Sequence, residues 1–548
     1  MSSTVDLVVI VKNETISVDD KNLLEKLGNN NYININEYQG VGYIKSYLES
    51  KQIECKIHLL NSNQLDQITS LFDENPFIVG FSLYVDIVNE VLSAAEILKT
   101  KYRDVHITLG GPHTSGYATQ IIEDNIFVDS VVEGEGEITL FDLYSHLLKN
   151  ESLSGCKGVT FRETNGSIIR NGPREKIEKL DKLPFPSRDI YEKNHQEYQY
   201  ITGSRGCLGF CTFCTEASEK KLLPKEQYVR VRSAKNIVDE IEECIKKYKM
   251  HSFRFTDATF EDPAEIGRKK AEEVFDEILR RQLKVSMHIF SRSELIDQKN
   301  EIYLKKGYDA GLECVYLGIE SGNNDDLKVY NKKATLEDSC RALKSISKVG
   351  IHATFGFICF NPYSTHKSLL DNADFLYSSG LGHIFYLYQT RLEALPQAPI
   401  FAKLQKDGLL TGDTCYKTHF YDYRFQNERI SDLFEVIKQA YQKPPIYYMD
   451  TLIGMDRVWF KKNGTDKEIE SLEPSLRRLD EIKEILNEKN YIVFKSCVEM
   501  SQAGESMKSI YEECIANPLD YLHEEYTNLY MKIRIRISKS KIKTYMVK

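Results

Sequence analysis

Short apolar runs alternate with amphipathic stretches along the first 150 residues. Each run is apolar throughout rather than at every second position, which is typical of strands buried on both faces of a parallel sheet. Between the runs, apolar residues recur every three or four positions, for example over residues 87–102, as in a helix that covers a sheet. Five strand–helix units predict a doubly wound α/β domain over residues 1–150. The predicted strands are Val5–Ile10, Cys55–Leu60, Phe77–Ser82, Val105–Leu109 and Val128–Val132.

Glycines cluster where the fourth and fifth predicted strands end. Gly110 and Gly111 follow the fourth strand, and Gly134, Glu135 and Gly136 follow the fifth. In a flavodoxin-like (Rossmann-type) domain the ligand lies beyond the carboxyl ends of the strands, and glycine lets a ligand approach the backbone closely. Tight turns without a ligand account for such glycines equally well.

A second α/β series begins near residue 198, after a connector over residues 151–197. The connector contains a hairpin turn signal, Asn165-Gly166, and the sequence Leu-Pro-Phe-Pro at residues 183–186. Six further strand–helix units predict an open, partial (β/α)6 barrel over residues 198–391, with its chemistry at the carboxyl ends of the strands. The predicted strands are Tyr198–Thr202, Ser252–Phe255, Lys284–Phe290, Cys314–Gly318, Ala353–Cys359 and Ile384–Tyr388.

Residues 392–548 have a mainly helical pattern, and we expect them to cover the barrel mouth and the substrate. At their end, over Met531–Lys548, Ile533, Ile535 and Ile537 alternate with basic residues. That alternation predicts a half-buried strand with a basic, solvated face. A nucleic-acid-binding arm is an alternative interpretation of the same residues.

The composition is that of a soluble globular protein. The 548 residues are 41% hydrophobic and 28% charged, enough to bury the cores of two or three domains. A net charge of −9 does not favour nucleic acid or an anionic membrane as a partner. No apolar run is long enough for a membrane span, and the N-terminus lacks a secretory pattern, so we expect a cytoplasmic protein.

Three of the twelve cysteines, Cys207, Cys211 and Cys214, lie together in a glycine-punctuated loop after the first barrel strand. Three thiolates suit an iron–sulfur cluster or zinc, but structural zinc normally takes four protein ligands. The nearest further ligands, His195 and Cys244, are separated from the loop by a predicted strand and helix. The spacing therefore favours a [4Fe–4S] cluster with one iron open to an outside ligand, with zinc or free thiols as alternatives. The other nine cysteines are scattered, and we expect them to be buried and reduced.

The loop resembles the signature of the radical S-adenosylmethionine (SAM) superfamily, Cys-x3-Cys-x2-Cys with an aromatic residue, here Phe213, before the last cysteine. The resemblance implies that SAM chelates the fourth iron and is cleaved to methionine and a 5′-deoxyadenosyl radical. It also implies SAM contacts at the ends of barrel strands. The residues concerned are Asp257, Arg292, Glu320 and Ser321.

The N-terminal domain resembles that of the cobalamin-binding members of this superfamily. The similarity lies in Gly-Gly-Pro-His at 110–113, Val-Val-Glu-Gly-Glu-Gly-Glu at 131–137 and the proline pair at 184–186. It implies that a corrin lies between this domain and the barrel mouth. The Asp-x-His-x-x-Gly motif of other cobalamin proteins is absent, so His113 is interpreted as a loop residue without a ligand role. The implied cobalamin-binding residues are Ser82, Gly110, Gly111, Gly134, Glu135 and Gly136.

These features predict an enzyme that methylates an unactivated carbon, or phosphorus, of a small biosynthetic intermediate. An electron donor such as flavodoxin or ferredoxin would reduce the cluster. The alternatives are a cyclase or rearrangement enzyme of the same family, a transfer-RNA methylthiotransferase, and a non-catalytic cobalamin or metal sensor. The methylthiotransferase hypothesis lacks a second cysteine triplet in the N-terminal domain. Candidate substrate-facing residues near the sixth predicted strand are Tyr386, Tyr388, Gln389 and Arg391.

Overall fold

A computed structural model describes residues 4–12, 38–189, 198–220, 223–296, 301–412, 415–417, 422–440, 446–516 and 519–546. The chain divides into two compact units. Residues 1–200 and 413–419 form the first unit, and residues 201–412 and 420–548 form the second. None of the helices in these described ranges is long and apolar enough to cross a membrane.

The first unit contains a parallel sheet in the order β2-β1-β3-β4-β5, the predicted flavodoxin-like topology. All five predicted strands are present within one or two residues of their expected bounds. Helices alternate with the strands and bury their apolar faces against the sheet. The elements are β1 Val5–Val11, α1 Gln39–Ser50, β2 Cys55–Asn61, β3 Ile78–Ser82, α2 Val88–Lys101, β4 His106–Gly110, α3 Ala118–Asp124, β5 Ser130–Val132 and α4 Gly136–Leu148.

A hairpin extends this sheet beyond the predicted domain boundary at residue 150. Strands β6, Val159–Arg162, and β7, Ile168–Arg170, flank the predicted Asn-Gly turn and add antiparallel to β5. Pairing with the hairpin satisfies backbone groups on the open edge of β5. The connector therefore belongs largely to the first unit, and its residues 190–197 lie outside the described residues.

The second unit contains a five-stranded sheet in the order β14-β13-β12-β11-β8, together with a separate antiparallel pair, β9 and β10. Apolar residues of its helices and strands form the largest core of the protein. The strands are β8 Gln199–Ile201, β9 Ser204–Gly206, β10 Val229–Val231, β11 Ser252–Phe255, β12 Ser286–Arg292, β13 Leu312–Glu320 and β14 His352–Phe357. The helices among them are α5 Glu216–Glu219, α6 Ala234–Tyr248, α7 Ala264–Arg280, α8 Glu301–Ala310, α9 Asn324–Val329, α10 Leu336–Val349 and α11 His366–Ser378.

The predicted sixth strand, Ile384–Tyr388, is wrong. Residues Phe385–Gln389 form a 3-10 turn, and the contact with the sheet is an isolated bridge between Phe360 and Arg391. Phe385, Leu387 and Tyr388 are all buried in the core, so the apolar run has a packing reason without being a strand. Within the described residues 301–412, a turn therefore stands where the sixth barrel strand was predicted.

The C-terminal strand prediction is also wrong, because Met531–Met546 lies within a long helix. Ile533 and Ile537, four residues apart, are fully buried, whereas Ile535 is only half-buried. Burial in this segment therefore follows the helical period of three to four residues, and the alternation of isoleucines with basic residues does not mark a strand. The C-terminal helices are α12 Pro399–Lys406, α13 Glu428–Ala440, α14 Ile446–Asn463, α15 Asp466–Ala503, α16 Met507–Ile515 and α17 Asp520–Met546.

Helix α14 packs at the amino ends of the barrel strands rather than over the mouth. Lys462 on α14 donates hydrogen bonds to the carbonyls of Tyr308 and Asp309, just before β13 begins. Gly454 lies against the ring of His352, the first residue of β14. The expectation that the whole region 392–548 covers the substrate therefore fails for α14. In contrast, the Ile400 amide at the start of α12 donates to the Thr212 carbonyl in the cysteine loop, 2.8 Å away.

Candidate functional site

The cysteine loop starts at the carboxyl end of β8, as predicted, and a short antiparallel pair fixes its entry. Strand β9 pairs with β10 immediately before Cys207. Gly206 has a φ of +94°, and a Cβ at this position would lie 2.0 Å from the Tyr228 carbonyl oxygen. Only glycine allows this turn, so the chain enters the loop in one conformation.

Two of the three thiols converge on Gly209. Its amide donates to the Cys207 Sγ at 3.1 Å, and a Cβ on Gly209 would lie 3.3 Å from that sulfur and 3.7 Å from the Cys211 Sγ. Burial raises the pKa of Cys211 to about 11 and also raises that of Cys214, and the three thiols are close enough to interact electrostatically. Three soft donors in one loop, two of them drawn together around a glycine, fit an iron–sulfur cluster.

The same thiols are not arranged around a single metal ion. Among the described residues, no group of three or more His, Cys, Asp or Glu side chains is close enough to hold one. The thiolates of a cubane each bind a different iron and therefore stand farther apart than the ligands of one zinc. Because three thiolates leave one iron of a cubane open whereas structural zinc normally takes four protein ligands, the donor set fits the predicted cluster better than it fits zinc.

Asp257 lies behind the loop and is 1% exposed. Its carboxylate accepts hydrogen bonds from the Gly203 amide at 2.7 Å and the Ser204 hydroxyl at 2.6 Å, and it pairs with Lys270 at 3.3 Å. All these partners belong to the barrel, so the geometry makes Asp257 an anchor for the start of the loop. Both oxygens of the Asp257 carboxylate have partners within the barrel, so neither is open to the predicted contact with SAM.

Arg292, at the end of β12, reaches the loop through Asp262. The guanidinium lies 2.6 Å from one Asp262 oxygen, and the other Asp262 oxygen accepts from the Leu208 amide at 2.8 Å. Arg292 also lies 3.4 Å from Glu294. The predicted residue is therefore close to the cysteines, but its charge is already balanced by two carboxylates.

Glu320 has the most unusual backbone of the predicted site residues. Its φ is +69°, and the pairing of β13 with β14 is interrupted by a bulge between Gly318 and Glu320. Residues with side chains seldom adopt this conformation, and such strain concentrates at functional sites. The bulge turns the Glu320 carboxylate towards Lys332, whose ammonium lies 2.9 Å from Oε1.

Lys332 is a site residue that the sequence patterns did not predict. Its side chain is 5% exposed and interacts electrostatically with both Glu320 and Cys211. It lies beyond α9, in a loop with no motif that marks it. Only the fold places its charge between the strand end and the cysteines.

Ser321 is fully buried and Phe213 is half-buried, and both pack within the second unit. The Ser321 hydroxyl is fully buried and lies 2.8 Å from the Asn372 amide oxygen and 3.1 Å from Asp326. The Phe213 ring packs edge-on against Tyr330, with centroids 5.7 Å apart. Both residues therefore support the strand end and the loop by packing.

The inner face of the barrel is arranged in layers, because paired residues of parallel strands point to the same side. The pairing places Arg254, His288, Cys314 and His352 in the lowest layer. Phe290 and Tyr316 lie above, with ring centroids 4.9 Å apart, and the Arg254 guanidinium lies 5.0 Å from the Phe290 centroid.

The top layer of the barrel contains two glycines, Gly318 and Gly356. A Cβ on Gly318 would lie 2.6 Å from the Lys332 Nζ, and a Cβ on Gly356 would lie 2.7 Å from the Tyr316 hydroxyl and 3.0 Å from the Glu320 Oε2. Because glycine has no side chain, these two positions leave room for the Glu320–Lys332 ion pair inside the barrel. The polar groups of the mouth face an aromatic wall below them.

The three candidate catalytic residues near the 3-10 turn differ in their exposure and contacts. Tyr388 is fully buried, and burial raises its pKa. The Arg391 guanidinium lies 2.7 Å from Asp422 and stacks over the Tyr423 ring. Tyr386 is 48% exposed, so it alone of the three presents its ring at the surface of its unit.

In the first unit, the two predicted glycine segments lie side by side at the carboxyl edge of the sheet, because β4 pairs with β5. Gly111 has a φ of +111°, and a Cβ there would lie 2.8 Å from the Leu83 carbonyl oxygen. Gly134 has a φ of +78°, and a Cβ there would have no described atom within 4 Å. One glycine is required by close packing, and the other leaves open backbone that a large flat ligand can approach.

The remaining predicted residues of this edge have structural contacts of their own. Glu135 accepts from the Ile177 amide at 2.8 Å, and a Cβ on Gly136 would lie 2.7 Å from Ile44. Ser82, at the end of β3, is half-buried beside Gly110. His113 lies in a turn, where its ring contacts the Tyr416 carbonyl at 2.6 Å, in keeping with the loop role predicted for it.

Comparison with known proteins matches each unit to one family. The model of the Radical SAM superfamily matches residues 201–376, and that of the B12 binding domain matches residues 34–143. An uncharacterized methyltransferase of Pyrococcus horikoshii is 28% identical, over 60% of this chain and 71% of its own length. The anaerobic magnesium-protoporphyrin IX monomethyl ester cyclase of Rubrivivax gelatinosus is also 28% identical, over 58% of this chain and 57% of its own length.

A solved structure shares the fold over the whole chain. The cobalamin-dependent S-adenosylmethionine radical enzyme OxsB, with aqua-cobalamin and SAM bound, superposes with a TM-score of 0.68 at 19% sequence identity. The match covers 100% of this chain and 81% of OxsB. Two family matches in the same order, each on its own unit, agree with this likeness. The chain therefore belongs to the radical SAM superfamily, among the members in which a B12 binding domain precedes the radical SAM domain.

Proposed function

We propose that this protein is a cobalamin-dependent radical SAM methyltransferase that acts on an unactivated carbon, or phosphorus, of a small molecule. The observation that carries the proposal is the cysteine loop at the carboxyl end of the first barrel strand, which holds three soft donors, two of them converging on Gly209. When bound, the cluster with SAM supplies a radical and cobalamin supplies a methyl group, chemistry beyond any protein side chain.

Cys207, Cys211 and Cys214 would hold the cluster and leave one iron for SAM. Lys332 is the residue best placed to attract the SAM carboxylate, because its buried ammonium lies beside Cys211. Glu320 would then accept from the SAM amine or ribose hydroxyls. Asp257 and Asp262 would keep the loop in position through the Gly203 and Leu208 amides.

The inner layers of the barrel would form the floor for the substrate. Phe290 and Tyr316 are half-buried and lie below the Glu320–Lys332 pair, so a bound molecule can pack on their rings while its upper side faces the mouth. His288 below them is held neutral, because burial lowers its pKa to about 3. The floor would therefore present two aromatic rings above a neutral imidazole.

The open glycine segment of the first unit would receive the cobalamin. Gly134 offers accessible backbone shortly after Val132, which lies beside Gly110, and Gly111 fixes the neighbouring turn. His113 already contacts Tyr416, so we assign it no role at the metal. A reductase or small electron-transfer protein such as flavodoxin or ferredoxin would supply the electrons.

The proposal is tested by anaerobic reconstitution with iron, sulfide and cobalamin, followed by analysis of products from SAM. We expect iron and corrin to bind and 5′-deoxyadenosine to form together with S-adenosylhomocysteine. Formation of 5′-deoxyadenosine alone would favour the second candidate, a cyclisation or rearrangement, which the similarity to a cyclase supports. Binding of SAM without any cleavage under strong reduction would contradict both enzymes and favour a sensor.

A further inference from the structure

A buried lysine lies directly beside the cysteine loop. Lys220 follows α5 and is 2% exposed. Its ammonium donates a hydrogen bond to the Gly209 carbonyl, in the middle of the loop. The same ammonium lies 4.5 Å from the centroid of the Phe210 ring and 5.9 Å from that of Tyr228.

The two rings form one wall around the ammonium. Phe210 and Tyr228 meet edge to face, with centroids 5.7 Å apart. The attraction between a cation and a ring strengthens when both are withdrawn from water, and this lysine is almost fully buried. Tyr228 also lies against the Gly206 turn, so the wall that holds Lys220 is part of the entry to the loop.

Gly209 links the lysine to the cysteines. Its carbonyl accepts from Lys220, while its amide donates to the Cys207 Sγ at 3.1 Å. The ammonium is also near enough to Cys214 to interact with it electrostatically. Lys220 is therefore connected to Cys207 through Gly209 and to Cys214 through an electrostatic interaction.

We propose that Lys220 is a positioning residue that holds the loop in its cluster-binding shape and places a positive charge beside the cluster. The inference rests on the proposed function only in that the loop holds an iron–sulfur cluster. Reduction adds negative charge, so a nearby cation favours the reduced state and raises the midpoint potential. If Lys220 merely filled space, its replacement would leave the midpoint potential unchanged.

The test compares Lys220→Met, which removes the charge, with Lys220→Arg, which keeps it. Lys225→Met is the matched control, because Lys225 is exposed in the same segment. One measurement is the midpoint potential of the reconstituted cluster, followed by electron paramagnetic resonance. The other is hydrogen exchange of the amides of residues 207–214 in the metal-free protein, which does not depend on a loaded enzyme.

We expect Lys220→Met to shift the midpoint potential to more negative values and to make the loop amides exchange about tenfold faster. Lys220→Arg should keep the potential near that of the wild type, and Lys225→Met should match the wild type in both measurements. Wild-type potential and exchange in Lys220→Met would overturn the inference. Wild-type protein that takes up no cluster would instead defeat the proposed function.

A second variant keeps the inference testable if Lys220→Met fails to fold. Phe210→Leu removes one ring from the ammonium and leaves the charge in place, at a side chain that is 39% exposed. We expect faster exchange of the loop amides with a potential close to that of the wild type. Exchange as slow as in the wild type would show that the aromatic wall does not hold the loop.

Discussion

Lys332 and Glu320 form a buried ion pair at the barrel mouth, with 2.9 Å between Nζ and Oε1. Burial acts to lower the pKa of Lys332, but Glu320, Cys211 and Glu294 together outweigh it and the pKa is raised. The ammonium therefore remains charged beside Cys211. A zwitterionic ligand such as SAM can take the place of this pairing without leaving a charge unpaired, if its carboxylate meets Lys332 and its amine meets Glu320.

Replacement of either member of this pair should weaken SAM binding. Glu320→Gln and Lys332→Met each remove one charged hydrogen bond, so we expect the affinity of the reconstituted protein for SAM to fall about tenfold to a hundredfold. Equilibrium dialysis measures the change, and Lys328→Met, on the exposed face of α9, is the control. Unchanged affinity in both variants would remove the pair from the cofactor site.

Serine at any one of the three loop cysteines should abolish stable cluster binding. A hydroxyl is a poor ligand for iron compared with a thiolate, and the remaining two thiols cannot hold a cubane. We expect anaerobically reconstituted Cys207→Ser, Cys211→Ser and Cys214→Ser to lose most of their iron and sulfide. Cys340→Ser, at a half-buried position on α10, should retain both. Full iron content in all three variants would contradict the assignment of the site.

Asp257→Asn should separate an anchoring role from a SAM contact. The change breaks the buried pair with Lys270, at 3.3 Å, and we expect it to destabilise the second unit by about 3 kcal/mol. Protein that still carries its cluster should bind SAM with wild-type affinity. Urea denaturation and dialysis measure the two effects, and a variant of normal stability with weak SAM binding would reverse the assignment.

Alanine at Gly111 should cost more stability than alanine at Gly134. Both glycines have positive φ, but only at Gly111 would the new Cβ meet a backbone oxygen, 2.8 Å away. We expect Gly111→Ala to destabilise the first unit by about 2–4 kcal/mol and Gly134→Ala by about 1 kcal/mol. Thermal unfolding of the cobalamin-free protein measures the difference. Equal losses would mean that the Leu83 backbone yields readily.

Glu313 should lower the stability of the second unit as the pH rises from about 4.5 to about 7, in opposition to buried groups such as His288, whose lowered pKa has the reverse effect. Burial raises the pKa of this carboxyl to about 7, despite nearby Lys541 and a hydrogen bond from Ser286. Within this window Glu313 holds a proton in the folded form that it has lost in the unfolded chain, so this residue alone makes unfolding easier by about 3 kcal/mol, and its effect levels off at higher pH.

Glu313→Gln should remove this contribution to the dependence of stability on pH. We expect the difference in urea resistance between the variant and the wild type to shift in favour of the variant from pH 5 to pH 8, because glutamine has no proton to lose. Asp456, Lys462 and Lys541 surround the position and remain in both proteins, which isolates the contribution of Glu313. Parallel curves for the two proteins across pH would contradict the raised pKa.

The sequence alone determined the topology of the first sheet and the place of the cysteine loop. Uniform apolar runs such as 105–109 specify buried parallel strands, and the spacing of Cys207, Cys211 and Cys214 lies within one short loop, so both are local properties. The same local patterns misled at Ile384–Tyr388 and at the C-terminal tail. There an apolar run or an alternation fits more than one structure, and burial decides between them.

Only the tertiary structure decided which charges meet at the mouth. Lys332 faces Glu320, and Lys220 faces Gly209, because a bulge and a helix end bring them there, not because a motif marks them. Asp257 and Ser321 lie at the predicted strand ends, yet their oxygens are taken up by partners on distant segments. Spacing along a chain fixes which residues can share a loop, whereas packing across the sheet fixes which polar groups remain open to a ligand.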